Sequence, residues 1–247
     1  MTRTLFRRTG VIAAGAVAFA MLVLPVKAYA QRQTETVDRT LPFPNGGTLK
    51  VNNFSGRVRI TGGSGRNFVM KALRRGTVER LKEIQLTVES SGSTITVEAN
   101  TRDRNDSRRW RDDDRDGRNS VIDTDFEIQV PADARLDIDT FSSDVTITGV
   151  TGEHRLKSFS GDLDVDATGQ GTTPALEAET FSGTMRVRLA DNARGDIEFN
   201  SFSGSLDAAF PVSLRSSNRR NIRAELPGGS GRTLRFKSFS GTLRLVK

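Results

Sequence analysis

Hydrophobic and polar residues alternate in short runs along most of this chain. A period of two with one apolar face is typical of a half-buried β-strand, and the Asp, Glu, Arg, Lys and Thr between the apolar residues suit a solvated outer face. The pattern therefore predicts an all-β protein. Runs come in pairs on either side of a short corner: Leu136–Thr140 with Val145–Ile147, Leu176–Thr180 with Met185–Val187, Ile197–Ser201 with Leu206–Ala208, and Leu234–Ser238 with Leu243–Leu245.

Each corner carries the tripeptide Phe-Ser-Gly, once as Phe-Ser-Ser. The copies that begin at Phe141, Phe159, Phe181 and Phe202 recur at steps of 18, 22 and 21 residues. Such a period indicates stacked units, so we predict a single-stranded, β-helix-like β-solenoid with coils of ~20 residues and an irregular β-rich N-terminal section. The repeat residues are Phe54 and Gly56; Phe141 and Ser143; Phe159 and Gly161; Phe181 and Gly183; Phe202 and Gly204; Phe239 and Gly241.

The corners also predict how the coils stack. Thr140 lies on the inward face of its strand, and the next inward residue, Val145, is five positions on, so the chain must turn or bulge between them. Glycine suits such a corner because it adopts positive φ. We expect the phenylalanines to point into the core as an aromatic ladder, and the serine after each to be a turn hydroxyl rather than a nucleophile. Beside them we expect a ladder of small polar residues: Asn53, Thr140, Ser158, Thr180, Ser201 and Ser238.

Two segments depart from the repeat. The interval from Phe202 to Phe239 is close to two periods, which predicts a coil over 214–226 that has lost its tripeptide, with Ser216-Ser217-Asn218 at its corner. Residues 36–100 are interpreted as an irregular β-rich section that caps an exposed end of the solenoid.

The first thirty residues have the features of a signal peptide. Arg3, Arg7 and Arg8 precede an apolar run over 11–24, and Ala28-Tyr29-Ala30 follows it. That run is shorter than the ~20 residues of a membrane-spanning helix, which favours a cleaved signal over an uncleaved anchor. We therefore predict a signal peptide over 1–30, a linker over 31–47, a repeat domain over 48–247, and export to the periplasm, the cell surface or the medium.

Charge and composition exclude several functions. The net charge of the chain is +7, of which residues 1–30 supply +4, and no arginine-rich helix accompanies the remainder, so nucleic acid is not an expected partner. The absence of cysteine excludes disulfides and thiolate sites. The single histidine, His154, is predicted in a surface turn. With no nucleophile elbow and no phosphate-binding loop, the sequence predicts a non-enzyme without a cofactor.

One enzymatic alternative remains. Polysaccharide hydrolases on β-helices need only paired carboxylates. Asp162, Asp164 and Asp166 alternate along one outer strand face, and Asp137 and Asp139 are expected near them.

Residues 101–120 hold seven arginines, six aspartates and one aromatic residue, a composition that predicts a disordered insert. Within it, Asp112, Asp114 and Asp116 precede Gly117 as in a calcium loop, with Asp123 at the twelfth position. Asp replaces the usual Glu there, and neighbouring arginines would repel the ion, so calcium is a minor alternative and no metal site is assigned. Trp110 is a candidate contact for a partner or glycan.

The repeated pattern of a small polar residue, Phe-Ser-Gly and an alternating strand, seen last at Ser238–Leu245, resembles a family of exported bacterial β-strand-repeat proteins. That family is labelled "putative adhesin" and is a domain of unknown function. The resemblance implies a β-solenoid-like domain at the cell envelope, with no catalytic residues. We therefore expect a non-enzymatic scaffold or adhesin-like surface whose partner is an envelope protein or a polysaccharide.

Overall fold

The computed structural model describes residues 32–102, 122–169, 173–218, 220–229 and 231–247, all within one compact unit, Gln31–Lys247. Strands dominate the described residues, as the alternation predicts, and one short helix interrupts them. In chain order the elements are β1 (Arg32–Pro42), β2 (Thr48–Gly63), β3 (Asn67–Thr77), α1 (Val78–Glu83), β4 (Ile84–Ser91), β5 (Thr94–Arg102), β6 (Asp123–Pro131), β7 (Arg135–Thr148), β8 (His154–Ser160), β9 (Leu163–Ala167), β10 (Leu176–Ser182), β11 (Thr184–Leu189), β12 (Asp196–Ser201), β13 (Ser205–Ala208), β14 (Ser213–Ser217), β15 (Asn221–Glu225), β16 (Thr233–Ser238) and β17 (Thr242–Val246).

The strands form two walls that meet along the tripeptide corners. The first wall holds, in spatial order, β4, β5, the first half of β2, the first half of β7, β8, β10, β16, β12, β15 and β14. The second wall holds β1, β3, β6, the second half of β2, the second half of β7, β9, β11, β17 and β13. Neighbouring coils pair in parallel, and the apolar inner faces of both walls pack into one core. The protein is all-β and β-solenoid-like.

The order of the coils in space differs from their order in the chain. Strand β16 lies between β10 and β12, and β17 lies between β11 and β13. The chain therefore leaves one position open between these coils and fills it with its last two strands.

The coil predicted over 214–226 is also absent. Strands β14 and β15 instead form an antiparallel pair, and β15 continues the first wall beside β12. Every residue of β14 is exposed, including Leu214 at 63%, so this strand has no inward apolar face with which to build a coil.

The N-terminal section is more regular than the sequence suggested. Strands β5 and β6 pair in parallel with the two halves of β2, so they extend the parallel pairing of both walls by one strand each. Strands β1, β3 and β4 run antiparallel at this end. Residues 31–47, interpreted as a linker, include β1, which pairs with β3 along its whole length.

The polar ladder is confirmed. Asn53, Thr140, Ser158, Thr180, Ser238 and Ser201 are in register on neighbouring strands, and each is at most 9% exposed. Several of their side chains satisfy the backbone at the corner. Asn53 Nδ2 donates to Thr124 O at 3.1 Å, and Ser238 Oγ accepts from the Gly241 amide at 2.5 Å.

The corner glycines are required mainly because neighbouring coils approach so closely. A Cβ on Gly161 would overlap the carbonyl oxygen of Ser143, and a Cβ on Gly241 would overlap that of Gly183. Gly161 has a φ of 150°, but Gly241 is not among the positive-φ residues, so positive φ alone does not explain the repeat. A side chain at these corners would force the coils apart.

His154 is buried, and its prediction as a surface-turn residue is wrong. It opens β8, in register between Leu136 and Leu176, and is 0% exposed. Burial lowers the pKa of His154 to about 4, and the nearby Val150 backbone, which favours the charged ring, offsets only part of this effect. Neither ring nitrogen has a hydrogen-bond partner of good geometry among the described residues.

Candidate binding surface

The six repeat phenylalanines form one continuous stack along the outside of the corners, which we name the phenylalanine ridge. Adjacent ring centroids are 4.6 to 4.9 Å apart, and the ring planes differ by 1° to 15°. Each residue is 41% to 53% exposed. In spatial order the ridge consists of Phe54, Phe141, Phe159, Phe181, Phe239 and Phe202.

The ridge confirms the aromatic ladder but corrects its direction. The alternation of each incoming strand continues through the corner, so Thr140 faces inward and Phe141 faces outward. The change of parity occurs after the phenylalanine, where Ser143 is buried at 1% exposure. The expectation that the phenylalanines fill the core is therefore wrong, because the polar ladder occupies the inward position beside them.

Stacking determines which parts of the rings are accessible. Each interior ring is covered on both faces by its neighbours, and so presents mainly its edge to solvent. At one end, the guanidinium carbon of Arg220 lies 4.7 Å from the centroid of the Phe202 ring, a cation–π contact. The ridge is thus a narrow apolar strip rather than a set of open aromatic platforms.

A groove of about 930 Å³ runs beside the ridge on the outer face of the first wall. Its lining includes ridge residues and the charged side chains two positions before them, among them Asp139, Lys157, Glu179 and Lys237. We name this set, with its flanking amides, the inner row: Asn52, Asp139, Lys157, Glu179, Lys237 and Asn200.

A second line of charges lies two residues before the inner row on each strand, farther from the ridge, and we name it the outer row. Its members alternate in sign across the wall: Lys50, Asp137, Arg155, Glu177, Arg235 and Glu198. Cross-strand ion pairs join several neighbours, including Arg155 Nε to Glu177 Oε2 at 3.6 Å and Arg235 Nε to Glu198 Oε2 at 3.9 Å. Exposed pairs of this kind contribute little individually to stability.

The structure does not bring together the carboxylates considered for hydrolysis. Asp137 and Asp139 lie on the first wall, whereas Asp162, Asp164 and Asp166 follow the corner onto the second wall. The expectation that they are neighbours is wrong, because β7 crosses from one wall to the other between Asp139 and Asp144.

Asp162 and Asp166 on the second wall take part in structural hydrogen bonds. Asp162 Oδ1 accepts from the Thr184 amide at 2.7 Å, and Asp144 Oδ1 accepts from the Asp162 amide at 3.0 Å. Burial favours a higher pKa for Asp166, but hydrogen bonds from Thr168 and Arg188 outweigh it, and the pKa is lowered. A catalytic acid needs the opposite shift.

Asp125 forms a clamp that sequence reasoning missed. Its Oδ2 accepts from Arg57 Nη2 at 2.9 Å and from Arg75 Nη2 at 2.8 Å. Burial favours a higher pKa, but these two bonds outweigh it, and the pKa of Asp125 is lowered. The clamp borders a small pocket of about 150 Å³ on the second wall, and a carboxylate held between two cations is not an available acid.

Several predicted residues lie outside the described part of the chain. These are Trp110, Asp112, Asp114 and Asp116, so contact by Trp110 and calcium binding stay predictions. Asp123, the last candidate calcium ligand, opens β6 and accepts a hydrogen bond from Ser55 Oγ at 2.6 Å. No cluster of three metal-ligating side chains occurs among the residues that the structure describes.

The serines that follow Phe202 and Phe239 are exposed, and their hydroxyls lie near the backbone of the neighbouring coil. Ser203 Oγ donates to Phe239 O at 3.3 Å, and Ser240 Oγ donates to Phe181 O at 3.5 Å. Both bonds join adjacent coils, as a structural hydroxyl at a turn would.

Comparison with known proteins identifies the family. Residues 26–245 match Toastrack DUF4097. The chain belongs to this family. The resemblance to a family that is a domain of unknown function is confirmed. No curated protein matches the Toastrack chain. Within the described ranges, no helix has the length and apolar character needed to cross a bilayer.

Solved structures resemble this Toastrack chain to different degrees. A "putative cell adhesion protein" from Clostridium sporogenes is 12% identical with a TM-score of 0.51, and the match covers 85% of this chain and 99% of that one. A "putative adhesin" from Bacteroides fragilis is 10% identical with a TM-score of 0.27, covering 86% and 97%. Another from Parabacteroides merdae is 9% identical with a TM-score of 0.26, covering 86% and 97%. The likeness to the Clostridium sporogenes protein shows the fold alone, and the TM-scores of the other two are too low to show a shared fold.

Proposed function

We propose that this Toastrack chain is an exported, non-enzymatic protein of the cell envelope, a β-solenoid scaffold with coils of ~20 residues. Its phenylalanine ridge is the adhesin-like binding surface. The observation that carries the proposal is the stacking of six half-exposed phenylalanines into one strip. Their accessible area is on the order of 500 Å² if a phenylalanine offers roughly 200 Å². A patch of this size is at the upper end of what a typical monomer exposes, and such patches are often functional.

Export is supported by the sequence of residues 1–30, which has the basic start, apolar run and small-residue end of a signal peptide. The solved structure with the same fold is described as a "putative cell adhesion protein". A location in the periplasm, at the cell surface or outside the cell is consistent with both.

A non-enzymatic role is supported by the state of the carboxylates. The acids proposed for hydrolysis are divided between two walls, and burial does not raise the pKa of Asp125 or Asp166 above its usual range. The groove beside the ridge contains both signs of charge, and its acids alternate with lysines. This arrangement suits contact with a partner better than proton transfer to a glycosidic oxygen.

The proposed function is tested by capture on immobilised envelope proteins and a panel of polysaccharides. The wild-type unit Gln31–Lys247 is compared with the double variant Phe159→Ser, Phe181→Ser, and with Leu214→Ser, which removes an exposed leucine away from the ridge. We expect capture by the wild type and Leu214→Ser but not by the double variant. Equal capture by all three, or release of reducing sugar that Asp164→Asn abolishes, would contradict the proposal.

Calcium is tested separately. Calorimetric titration of the full chain with calcium chloride, compared with a variant in which Asp112, Asp114 and Asp116 are each replaced by Asn, would reveal a site in the insert. Heat of binding that is lost in the variant would make the surface calcium-dependent. Absence of heat in the wild type would remove the calcium alternative.

A further inference from the structure

The two charge rows beside the ridge share a symmetry that the ridge alone does not reveal. In spatial order the inner row is neutral, negative, positive, negative, positive, neutral, from Asn52 through Asp139, Lys157, Glu179 and Lys237 to Asn200. The outer row runs positive, negative, positive, negative, positive, negative, from Lys50 to Glu198. If either row is read in the opposite direction, each charged position meets a charge of the opposite sign, and the two neutral ends of the inner row remain neutral.

A surface with this property is complementary to itself in one orientation. If two copies face each other with their rows antiparallel, Lys157 lies opposite the second copy's Glu179, and Asp139 lies opposite its Lys237. The same operation places Phe159 opposite Phe181 across the interface. The two-fold axis then runs parallel to the strands, between β8 and β10. A parallel arrangement would instead place each charge opposite its own copy, and like charges in contact disfavour it.

We infer that the phenylalanine ridge and its two charge rows bind a second copy of this chain in an antiparallel, two-fold symmetric dimer. The inference rests on the proposed function, since it names the partner of the same surface. The dimer depends on the position of β16 between β10 and β12. Without β16 there, positive and negative side chains would not alternate strictly across the first wall.

The size of the surface agrees with such a pairing. The apolar ridge offers on the order of 500 Å². The two rows of charged side chains extend it toward the roughly 800 Å² per partner of a standard protein interface. An apolar strip flanked by polar rows also resembles the core-and-rim arrangement of protein interfaces.

Other partners are less well matched to these observations. The charges of each row cancel, so the surface offers no net field to attract a charged polymer or an anionic membrane. The ring faces within the ridge are covered by one another, which leaves no open aromatic face there on which a sugar ring could lie flat. A second copy matches both the sign pattern and its spacing, because its rows repeat at the same interval.

The test is a charge swap followed by sedimentation equilibrium on Gln31–Lys247, which contains the whole described core. We expect the wild type to dimerise and Lys157→Glu to weaken the dimer at least about tenfold, since symmetry creates two like-charge contacts with Glu179. Adding Glu179→Lys restores the cross-copy pairs and should return the affinity to within about threefold of the wild type. Arg186→Glu, a matched reversal on the second wall, should leave it unchanged.

The double swap separates dimerisation from the stability of the monomer. It leaves like charges side by side within each chain, at positions 157 and 139 and at 179 and 237, yet it restores opposite charges between the copies. Thermal unfolding of each variant verifies folding. If Lys157→Glu does not fold, Asp139→Lys with and without Lys237→Glu provides the same comparison.

Two results would overturn the inference: a wild type that stays monomeric at ~100 μM, well above the Kd of a standard interface, or a dimer that neither single charge reversal weakens. A monomeric wild type that still captures an envelope protein or polysaccharide through the ridge would leave the proposed function intact and assign the surface to that other partner. A wild type that neither dimerises nor captures an envelope protein or polysaccharide would contradict the proposed function as well.

Discussion

The ring of Phe239 stacks on that of Phe181 at 4.7 Å, although Phe202 lies between them in the chain. The ring of Phe202 stacks on the other side of Phe239, at 4.9 Å. These two contacts place the last tripeptide inside the ladder rather than at its end. On the first wall, the same insertion places Arg235 between Glu177 and Glu198, which would otherwise be adjacent acids.

The charge of Arg235 should therefore stabilise the intercalated order. Arg235→Glu would face a glutamate on each side, and we expect it to lower the free energy of unfolding by about 1–2 kcal/mol. Arg244→Glu is the control, because Arg244 lies between Arg186 and Asp207 and its reversal exchanges one favourable neighbour for another. Urea denaturation measures both. Equal losses would show that the cross-strand charges do not contribute to the order.

The ridge should stabilise the fold less than the core does. Phe181→Ala removes a ring that is 44% exposed, and we expect a loss of about 1–2 kcal/mol from its partial burial and two stacking contacts. Phe236→Ala removes a ring that is 0% exposed and should cost about 3–5 kcal/mol. Denaturant titrations of the two variants provide the comparison. If Phe181→Ala were as costly as Phe236→Ala, the ridge would be part of the core.

Close approach of the coils predicts the effect of alanine at a corner. Gly241→Ala brings a Cβ against the carbonyl oxygen of Gly183, so we expect it to destabilise the protein by about 1–3 kcal/mol. Gly65→Ala is the matched control, since a Cβ there meets nothing within 4 Å, and it should change stability by less than about 0.5 kcal/mol. The midpoint of thermal unfolding reports both. A tolerated Gly241→Ala would mean that the coils separate easily.

His154 predicts a pH dependence with a definite sign. Its pKa is lowered to about 4 in the folded state from an ordinary value of 6.5, so the unfolded chain takes up the proton first. The contribution of neutral His154 to the free energy of unfolding is therefore fully present above pH 6.5. It falls by about 3 kcal/mol as the pH drops toward 4. Urea titrations between pH 4.5 and 7.5 measure the slope. His154→Leu, which matches Leu136 and Leu176 in the same row, should flatten it, and an unchanged slope would assign the effect to other groups.

The strands, the corners and the buried polar ladder were predictable from sequence because alternation and repeat spacing are local properties. The family was recognisable for the same reason. The outward direction of the ridge was missed although the pattern contained it: Phe141 follows the inward Thr140, and simple alternation places it outside. Phenylalanine is usually buried, but here the alternation of the strand decides which way its side chain points.

His154 and the order of the coils were missed for different reasons. Gly152 suggested a turn, yet His154 stands two residues before Leu156 on the inward parity of its strand. The coil order depends on which of several nearly identical corners stack, and spacing does not distinguish them. The one available signal was electrostatic, since sequential stacking would pair the acidic outer faces of β10 and β12.

The late insertion of β16 and β17 has a consequence for biogenesis. Until residue 246 has emerged, β10 and β12 each present an unpaired inner edge, and the interior has a gap in its middle. A chain that folds from its N-terminus therefore cannot close its core one coil at a time. Loss of the last fifteen residues would open the centre of the molecule rather than shorten it, and would expose the inner edges of β10 and β12.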